Sequence, residues 1–403
     1  MSDDNEFMGY PRENGAVGIR NDVAIVPSVE CAQTVCDRIA SKLNKAIAFK
    51  NTGGCAQLGL DFQFTANTLS GLAENPNIHS ALVIGLGCEN MTSALIRKKI
   101  EKSNKHVESF DIQDVDGGTP KAIEKGISIA GKLIAEASEV KKEPFDYSHL
   151  VLGLECGGSD SISGISANPA VGIVTDKIIE LGGSAILPEF TEWVGTEHLL
   201  AKRAKNDDVS KMILDAVTGF LEDFESRGID FRTTQPTMGN KEGGLSTIEE
   251  KSLGTIAKAG KSPIEGLFLY SEKVPGKGLW LMFEPGWDIK SMTGLAAAGA
   301  QVIIMTTGRG SPVGNIVCPV IKICGNPETS KSMGINLDVD ASKVISGEQN
   351  IDQLAGDIWA KLKKVCNGEL TRSEEFGFRE MNIWQVPDLG PNVFKKLEDY
   401  VNK

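Results

Sequence analysis

Three cysteines occupy the same kind of position. Cys55, Cys88 and Cys156 each follow a short apolar run and sit in a glycine-flanked loop: Gly53-Gly54-Cys55, Gly85-Leu86-Gly87-Cys88 and Cys156-Gly157-Gly158. If those runs are parallel strands, the thiols lie beyond the strands' carboxyl ends, where open α/β sheets bind ligands. A thiolate there suits iron, zinc or an iron–sulfur cluster. The long intervals between the three match no local cluster or zinc-finger signature. Cys31, Cys36, Cys318, Cys324 and Cys366 fall in helix-like or strand-like stretches and read as small core residues.

Four polar segments add oxygen and nitrogen chemistry. The loop from Cys156 to Pro169 carries Ser159, Asp160 and Asn168 beside free backbone N–H groups, which suits a small polyhydroxy anion at a helix N-terminus. The stretch Leu187 to His198 holds Glu189, Glu192 and Glu197. Such acids either ligate a hard cation or move protons. The glycine-rich loop Gln235 to Gly244, containing Asn240, precedes a capped helix bearing Glu249, Glu250 and Lys251, and the two form an anion-friendly nest. Arg309, between Gly308 and Gly310 after Thr306-Thr307, is placed to clamp a carboxylate. No GxGxxG, Walker-A or GxSxG pattern occurs, so nucleotide binding and serine hydrolysis lack motif support.

Positioning these loops calls for alternating strands and helices. Apolar, β-branched runs over 23–27, 46–49, 80–86, 150–154, 184–188, 266–270, 279–283 and 301–306 read as strands. Helices are expected over 31–43, 62–73, 92–103 and 120–138. Glycine reaches 44 of 403 residues, about 11% against an average near 7%, as many tight strand-to-helix turns require. The expected class is α/β: two Rossmann-like three-layer units with mostly parallel sheets and Gly-rich loops at the strand C-terminal ends. Lys141-Lys142-Glu143-Pro144 is the expected linker. It separates a first domain, 1–144, from a C-terminal one, 145–403, whose last 60 or so residues read as a helical and irregular tail.

Net charge is −12, which argues against a general phosphate-backbone binder and so against nucleic acid. No apolar run approaches the ~20 residues of a membrane span. The acidic, polar start, Met1 to Phe7, does not resemble an export signal. A cytoplasmic protein with reduced thiols is expected.

Taken in order, these blocks resemble the altronate/galactarate dehydratase family, which also contains (2R)-sulfolactate sulfo-lyase large subunits. The resemblance is carried by Gly9-Tyr10-Pro11-Arg12-Glu13-Asn14-Gly15, Gly18-Ile19-Arg20-Asn21, Gly54-Cys55-Ala56-Gln57-Leu58-Gly59 and Gly85-Leu86-Gly87-Cys88-Glu89-Asn90. It continues through Cys156-Gly157-Gly158-Ser159-Asp160, Ala167-Asn168-Pro169, Gly239-Asn240 to Lys251, and Thr306-Thr307-Gly308-Arg309-Gly310, and spans roughly residues 9 to 385. It implies an Fe(II)-dependent, Mn(II)-tolerant hydro-lyase converting sugar acids to 2-keto-3-deoxy acids, with an iron–sulfur cluster as the alternative cofactor. Cys55, Cys88 and Cys156 would surround the metal, and Ser159, Asp160, Asn168, Asn240, Thr307 and Arg309 would hold the acid. Glu192, His198 and Lys251 would carry the proton transfers. Some relatives carry a histidine before the loop cysteine, and the stretch Asn51 to Gly54 here has none. The family's small N-terminal lyase domain is absent here, which implies a separate small subunit as partner, and an oligomer is expected. The alternative readings are a sulfo-lyase large subunit releasing bisulfite and a sugar-acid-binding subunit without catalysis.

Overall fold

The computed structural model describes residues 5–284 and 286–385. Its strands are β1 (Glu6–Pro11), β2 (Val17–Gly18), β3 (Asp22–Pro27), β4 (Ala46–Ala48), β5 (Ile78–Gly85), β6 (Val107–Asp111) and β7 (Glu143–Asp146). There follow β8 (Val151–Gly157), β9 (Ser184–Leu187), β10 (Ile264–Leu269), β11 (Gly278–Phe283), β12 (Val302–Thr307), β13 (Val320–Cys324) and β14 (Val339–Asp340). A four-stranded sheet runs β4-β3-β5-β6, and every pairing in it is parallel. A seven-stranded sheet runs β10-β11-β9-β8-β12-β13-β14, again parallel throughout. The expected α/β class with parallel sheets is the observed one.

Side-chain alternation along β3 explains the layering. Val23 and Ile25 pack with residues of the helices Gln33–Ala40 and Gly118–Glu139, whereas Ala24 and Val26 join those of Gly59–Glu74 and Ser93–Glu101. Both faces are covered, as a parallel sheet requires. The helix Gly59–Glu74 in turn lies against the helix Asp288–Ala298, which covers one face of the seven-stranded sheet. A Cβ at Gly71 would come within 2.6 Å of the Ala297 carbonyl oxygen, so only glycine permits this approach. On the opposite face, Leu152, Leu154, Val302 and Ile304 pack on the helices Ala167–Glu180 and Ile351–Cys366.

The stretch expected as a linker is partly a strand. β7 pairs antiparallel with β1, Phe7 opposite Phe145, in a small sheet ordered β2-β1-β7. Pro144 is tolerated there because β7 is an edge. The tail after β14 is helical over Ser342–Ile345, Ile351–Cys366 and Arg372–Glu375 and irregular from 376 to 385.

Candidate active site

In the seven-stranded sheet the chain leaves β8 for β9 on one side, while β12 lies on the other. Ligands bind at such a reversal, beyond the strands' carboxyl ends. Cys156-Gly157 of β8 stands in register with Thr306-Thr307 of β12 at that point. Two cavities open there, of about 510 Å³ and about 230 Å³, and both are lined by Cys156, Ser159 and Lys251.

The larger cavity has an acidic wall of Glu189, Glu192 and Asp288, with Glu155 buried close to Glu189 and Asp288. Ligand oxygens of Glu155, Glu189 and Asp288 all lie within 4.8 Å of one another, the one trio of Cys, His, Asp or Glu so placed among the described residues. Glu155 lies near the end of β8 on the face turned toward the helix Asp288–Ala298; Glu189 follows β9; Asp288 opens that helix. Both Glu155 oxygens and Oε2 of Glu189 are buried with no hydrogen-bond partner. Glu189 also sits in the left-handed region, at φ 61°, a conformation costly for a side chain of its size and characteristic of functional sites. Burial, and then repulsion among the acids, pushes Glu155 and Glu189 well above the usual carboxylate range. Asp288 is raised too, again chiefly by burial.

Glu284 ties this wall together. Its Oε1 accepts from the Glu189 N–H at 2.6 Å and from Ser291 Oγ at 2.6 Å, and its Oε2 from the Gly286 N–H at 3.0 Å. Burial pushes its carboxyl up to about 7, although the three donors favour the ionised form.

An ion pair faces the cavity from another direction. Lys251 Nζ lies 2.9 Å from Glu192 Oε1, with the two side chains 14% and 4% exposed. Thr255 donates to Glu192 Oε2 at 2.7 Å. Burial alone would raise Glu192, but Lys251 and the buried Lys258 outweigh it and hold the carboxylate ionised. Lys251 is raised despite burial because Glu192 and other acids favour its charge. The helix Ile248–Ile256 that carries Lys251 begins where its sequence indicates: Thr247 Oγ1 accepts from the Glu250 N–H, and Ser246 donates back to Glu250. Phe220, Phe224 and Phe231 form an apolar side of the same cavity.

The other residues singled out from sequence divide clearly. Ser159 and Asn240 line the larger cavity, and Asn240 Nδ2 holds the Ser159 carbonyl at 3.1 Å. Ser159, Asp160 and Asn168 line the smaller one. Asp160 is a strut rather than a free carboxylate, accepting from Ser163 N and Oγ and from Asn326 Nδ2. Cys156 lines both cavities, but burial pushes its thiol up to about 11, so it stays protonated, 3.1 Å from Ser159 Oγ. Cys55 and Cys88 are exposed and line neither cavity. Their loops meet one another through the Met91 N–H to Gly54 O bond, at the carboxyl edge of the four-stranded sheet. Three similar turns thus belong to two sheets, and the structure does not join their thiols into one ligand set.

Three further candidates, His198, Arg309 and Thr307, line neither cavity. His198 is exposed on the short helix Glu197–Ala201 and lines neither cavity. Arg309 points to the rim, 45% exposed and paired with Glu242 at 3.1 Å, because its own N–H and that of Gly308 are bound to the Gly158 carbonyl. Thr307 caps its loop by accepting from the Gly310 N–H; its neighbour Thr306, on the opposite strand face, lines the smaller cavity instead. Glu155, Asp288, Glu284 and Lys258 were missed. The available signal was a charged residue closing an otherwise apolar strand, as in Leu152-Gly153-Leu154-Glu155 and Leu281-Met282-Phe283-Glu284, since buried charges demand partners.

Two family models match this chain: "D-galactarate dehydratase/Altronate hydrolase, second domain" over residues 9–138 and "D-galactarate/Altronate dehydratase, C-terminal" over 147–388. The chain belongs to the galactarate/altronate dehydratase family. Among family members, the (2R)-sulfolactate sulfo-lyase subunit beta of Chromohalobacter salexigens is 36% identical over 384 residues, covering 94% of this chain and 97% of that one. The altronate dehydratase of Bacillus subtilis is 34% identical over 395 residues, 95% of this chain and 78% of its own. The galactarate dehydratase (L-threo-forming) of Escherichia coli is 30% identical over 391 residues, 92% and 75% respectively. The family is thus one of lyases. No helix among the described residues is long and apolar enough to cross a membrane.

Proposed function

We propose that this chain carries the catalytic site of a metal-dependent hydro-lyase that dehydrates a sugar acid, of the altronate or galactarate kind, to a 2-keto-3-deoxy acid. The observation that carries this reading is the Lys251–Glu192 ion pair on the same cavity as Glu189, whose unpartnered Oε2 belongs to one cluster of acids with Glu155 and Asp288. Removing the weakly acidic C2 proton and expelling the C3 hydroxyl needs an acceptor, a donor and stabilisation of the developing enediolate.

A divalent cation fits the donor set. Glu155, Glu189 and Asp288 offer only oxygens, which suit a hard cation such as Mn(II) and also accommodate Fe(II), while an iron–sulfur cluster needs thiolates. Bound there, the ion would act as a Lewis acid toward the substrate's oxygens. Glu192, held ionised, serves as the acceptor of the C2 proton. Lys251, held charged, orients the substrate carboxylate and supplies a proton to the departing hydroxyl, so that water leaves. The phenylalanine wall keeps bulk water from that chemistry.

The sulfo-lyase reading, with bisulfite leaving in place of water, has one observation in its favour: alignment along nearly the whole of a subunit named beta. The same alignment supports a small partner subunit. The test uses the chain purified anaerobically with its copurifying chains, Fe(II) or Mn(II), and altronate, galactarate and sulfolactate in turn. Keto acid from a sugar acid without bisulfite is expected, falling about 10²–10⁴-fold in Lys251→Met. Bisulfite from sulfolactate alone would replace this reading with its rival, and full activity in Lys251→Met would remove the ion pair from the chemistry.

A further inference from the structure

Beyond Lys251, the smaller cavity has no role in the chemistry just described, yet two of its lining residues carry a buried polar atom without a partner. Asn168 Oδ1 and Thr306 Oγ1 accept and donate nothing within the protein, and their residues are 3% and 0% exposed. Asn168 Nδ2 is anchored to the Gly254 carbonyl at 2.8 Å, which presets its oxygen. Thr306 lies within the β8–β12 pairing, in register with Cys156. Nearby hydroxyls are already engaged: Ser163 with Asp160, Ser161 with the Gly243 carbonyl, Thr255 with Glu192. A buried, unsatisfied oxygen costs roughly 1–3 kcal/mol, so two at one cavity mark an unfilled requirement for a polar guest.

We infer that the smaller cavity is a distal subsite for the hydroxyl-bearing tail of the substrate, reading it through Asn168 Oδ1 and Thr306 Oγ1. This deepens, and rests on, the sugar-acid reading of the adjoining chamber. Lys251, Cys156 and Ser159 line both cavities, so a carboxylate held at Lys251 has its remaining carbons directed past Cys156. About 230 Å³, at roughly 30 Å³ per water-sized group, accommodates several hydroxylated carbons. Asn168 Oδ1 accepts from one hydroxyl; Thr306 Oγ1 donates to or accepts from another. A three-carbon acid confined to the reacting chamber reaches neither atom. The subsite therefore selects long polyhydroxy acids over short ones such as sulfolactate.

Two probes that cannot eliminate water separate binding from turnover: a 3-deoxyhexonate, which keeps the carboxylate and distal hydroxyls, and lactate, which has no tail. Calorimetry on the full chain with copurifying chains and Mn(II) is expected to give tighter binding of the hexonate. Thr306→Val should weaken the hexonate roughly five- to fiftyfold and leave lactate unchanged, while its melting temperature holds or rises because an unsatisfied hydroxyl is lost. Asn168→Ala gives a second, independent reading of the same selectivity. Equal affinity for the two probes in the wild type (including no binding of either), or equal losses for both in Thr306→Val, overturns the subsite. Thr306-dependent hexonate binding in a protein that dehydrates no sugar acid leaves the subsite standing and sinks the activity instead.

Discussion

Glu155 shows how one residue concentrates the electrostatic problem of the site. Its carboxyl is fully buried, both oxygens are unpartnered, and Glu189, Asp288 and Glu284 add repulsion to desolvation. A carboxyl raised above its unfolded value contributes stability that is full at low pH and fades as pH rises through the raised value. The metal-free protein should therefore lose stability from the ordinary carboxylate range up through neutral pH. Glu155→Gln, neutral and of the same shape, should melt higher than wild type at pH 8 without added metal, and with a shallower pH dependence. On the proposed metal site it should also lose the gain expected from Mn(II) in the wild type, about 2.7 kcal/mol at a hundredfold excess over Kd. Melting curves with and without Mn(II) at pH 6 and 8 decide this; an undiminished Mn(II) gain in Glu155→Gln would take the ion elsewhere. At this scale the sequence was only half legible. Ser159, Asn168, Asn240, Glu192 and Lys251, singled out from polar segments between apolar runs and from a capped helix start, all line one or other cavity. Thr306 and Thr307 could not be separated, since a strand's two faces differ by one residue and residue type is the same.

The elements that carry the site are held by clamps rather than by their own regularity. The Glu284 carboxylate joins the loops after β9 and β11 through the N–H groups of Glu189 and Gly286 and the Ser291 hydroxyl. A comparable device sits at the other parallel sheet, where Glu89 accepts from the N–H groups of Leu86, Gly87 and Cys88 and from Ser28 Oγ. Outer partners of this kind typically carry 10–100-fold in metal affinity. Glu284→Ala should thus weaken Mn(II) binding by about that factor and cost roughly 2–4 kcal/mol of stability for the lost charged hydrogen bonds. A direct Mn(II) titration is the measurement, and an unchanged affinity would reduce Glu284 to a purely structural part. Strand identity was legible wherever a buried parallel strand reads as a continuous apolar run: the expected 23–27 and 279–283 became Asp22–Pro27 and Gly278–Phe283. β1, β2 and β7 escaped notice because short antiparallel pieces with glycine and proline have no such signature. β14, two residues long, falls below any periodicity.

The molecule as a whole is two α/β units that do not keep separate interiors. The family models divide at 138 and 147, yet one core holds Ala24, Val26 and Val83 of the first sheet with Leu295, Ile303 and Met305 of the second unit. Polar contacts follow the same seam. Asn75 Nδ2 donates to the carbonyls of Ala296 and Ala300, and Asn77 Nδ2 to those of Gln301 and Val317. Arg20 of the first unit forms a two-point ion pair with Glu374 and also binds the Val365 and Glu369 carbonyls. Separating the units would expose apolar surface worth about 25 cal/mol per Å² and strand several buried donors and acceptors. Unfolding one unit should therefore drag the other with it. Calorimetry of the intact chain is expected to show a single transition whose calorimetric and van't Hoff enthalpies agree. Asn77→Ala should lower its midpoint without splitting it, since both partner carbonyls lie across the seam. Two resolved transitions, with the first unit melting alone, would mean that the helices Gly59–Glu74 and Asp288–Ala298 touch without coupling. The switch-point cavities would then depend on the second unit only, and substitutions along the first sheet would leave them untouched.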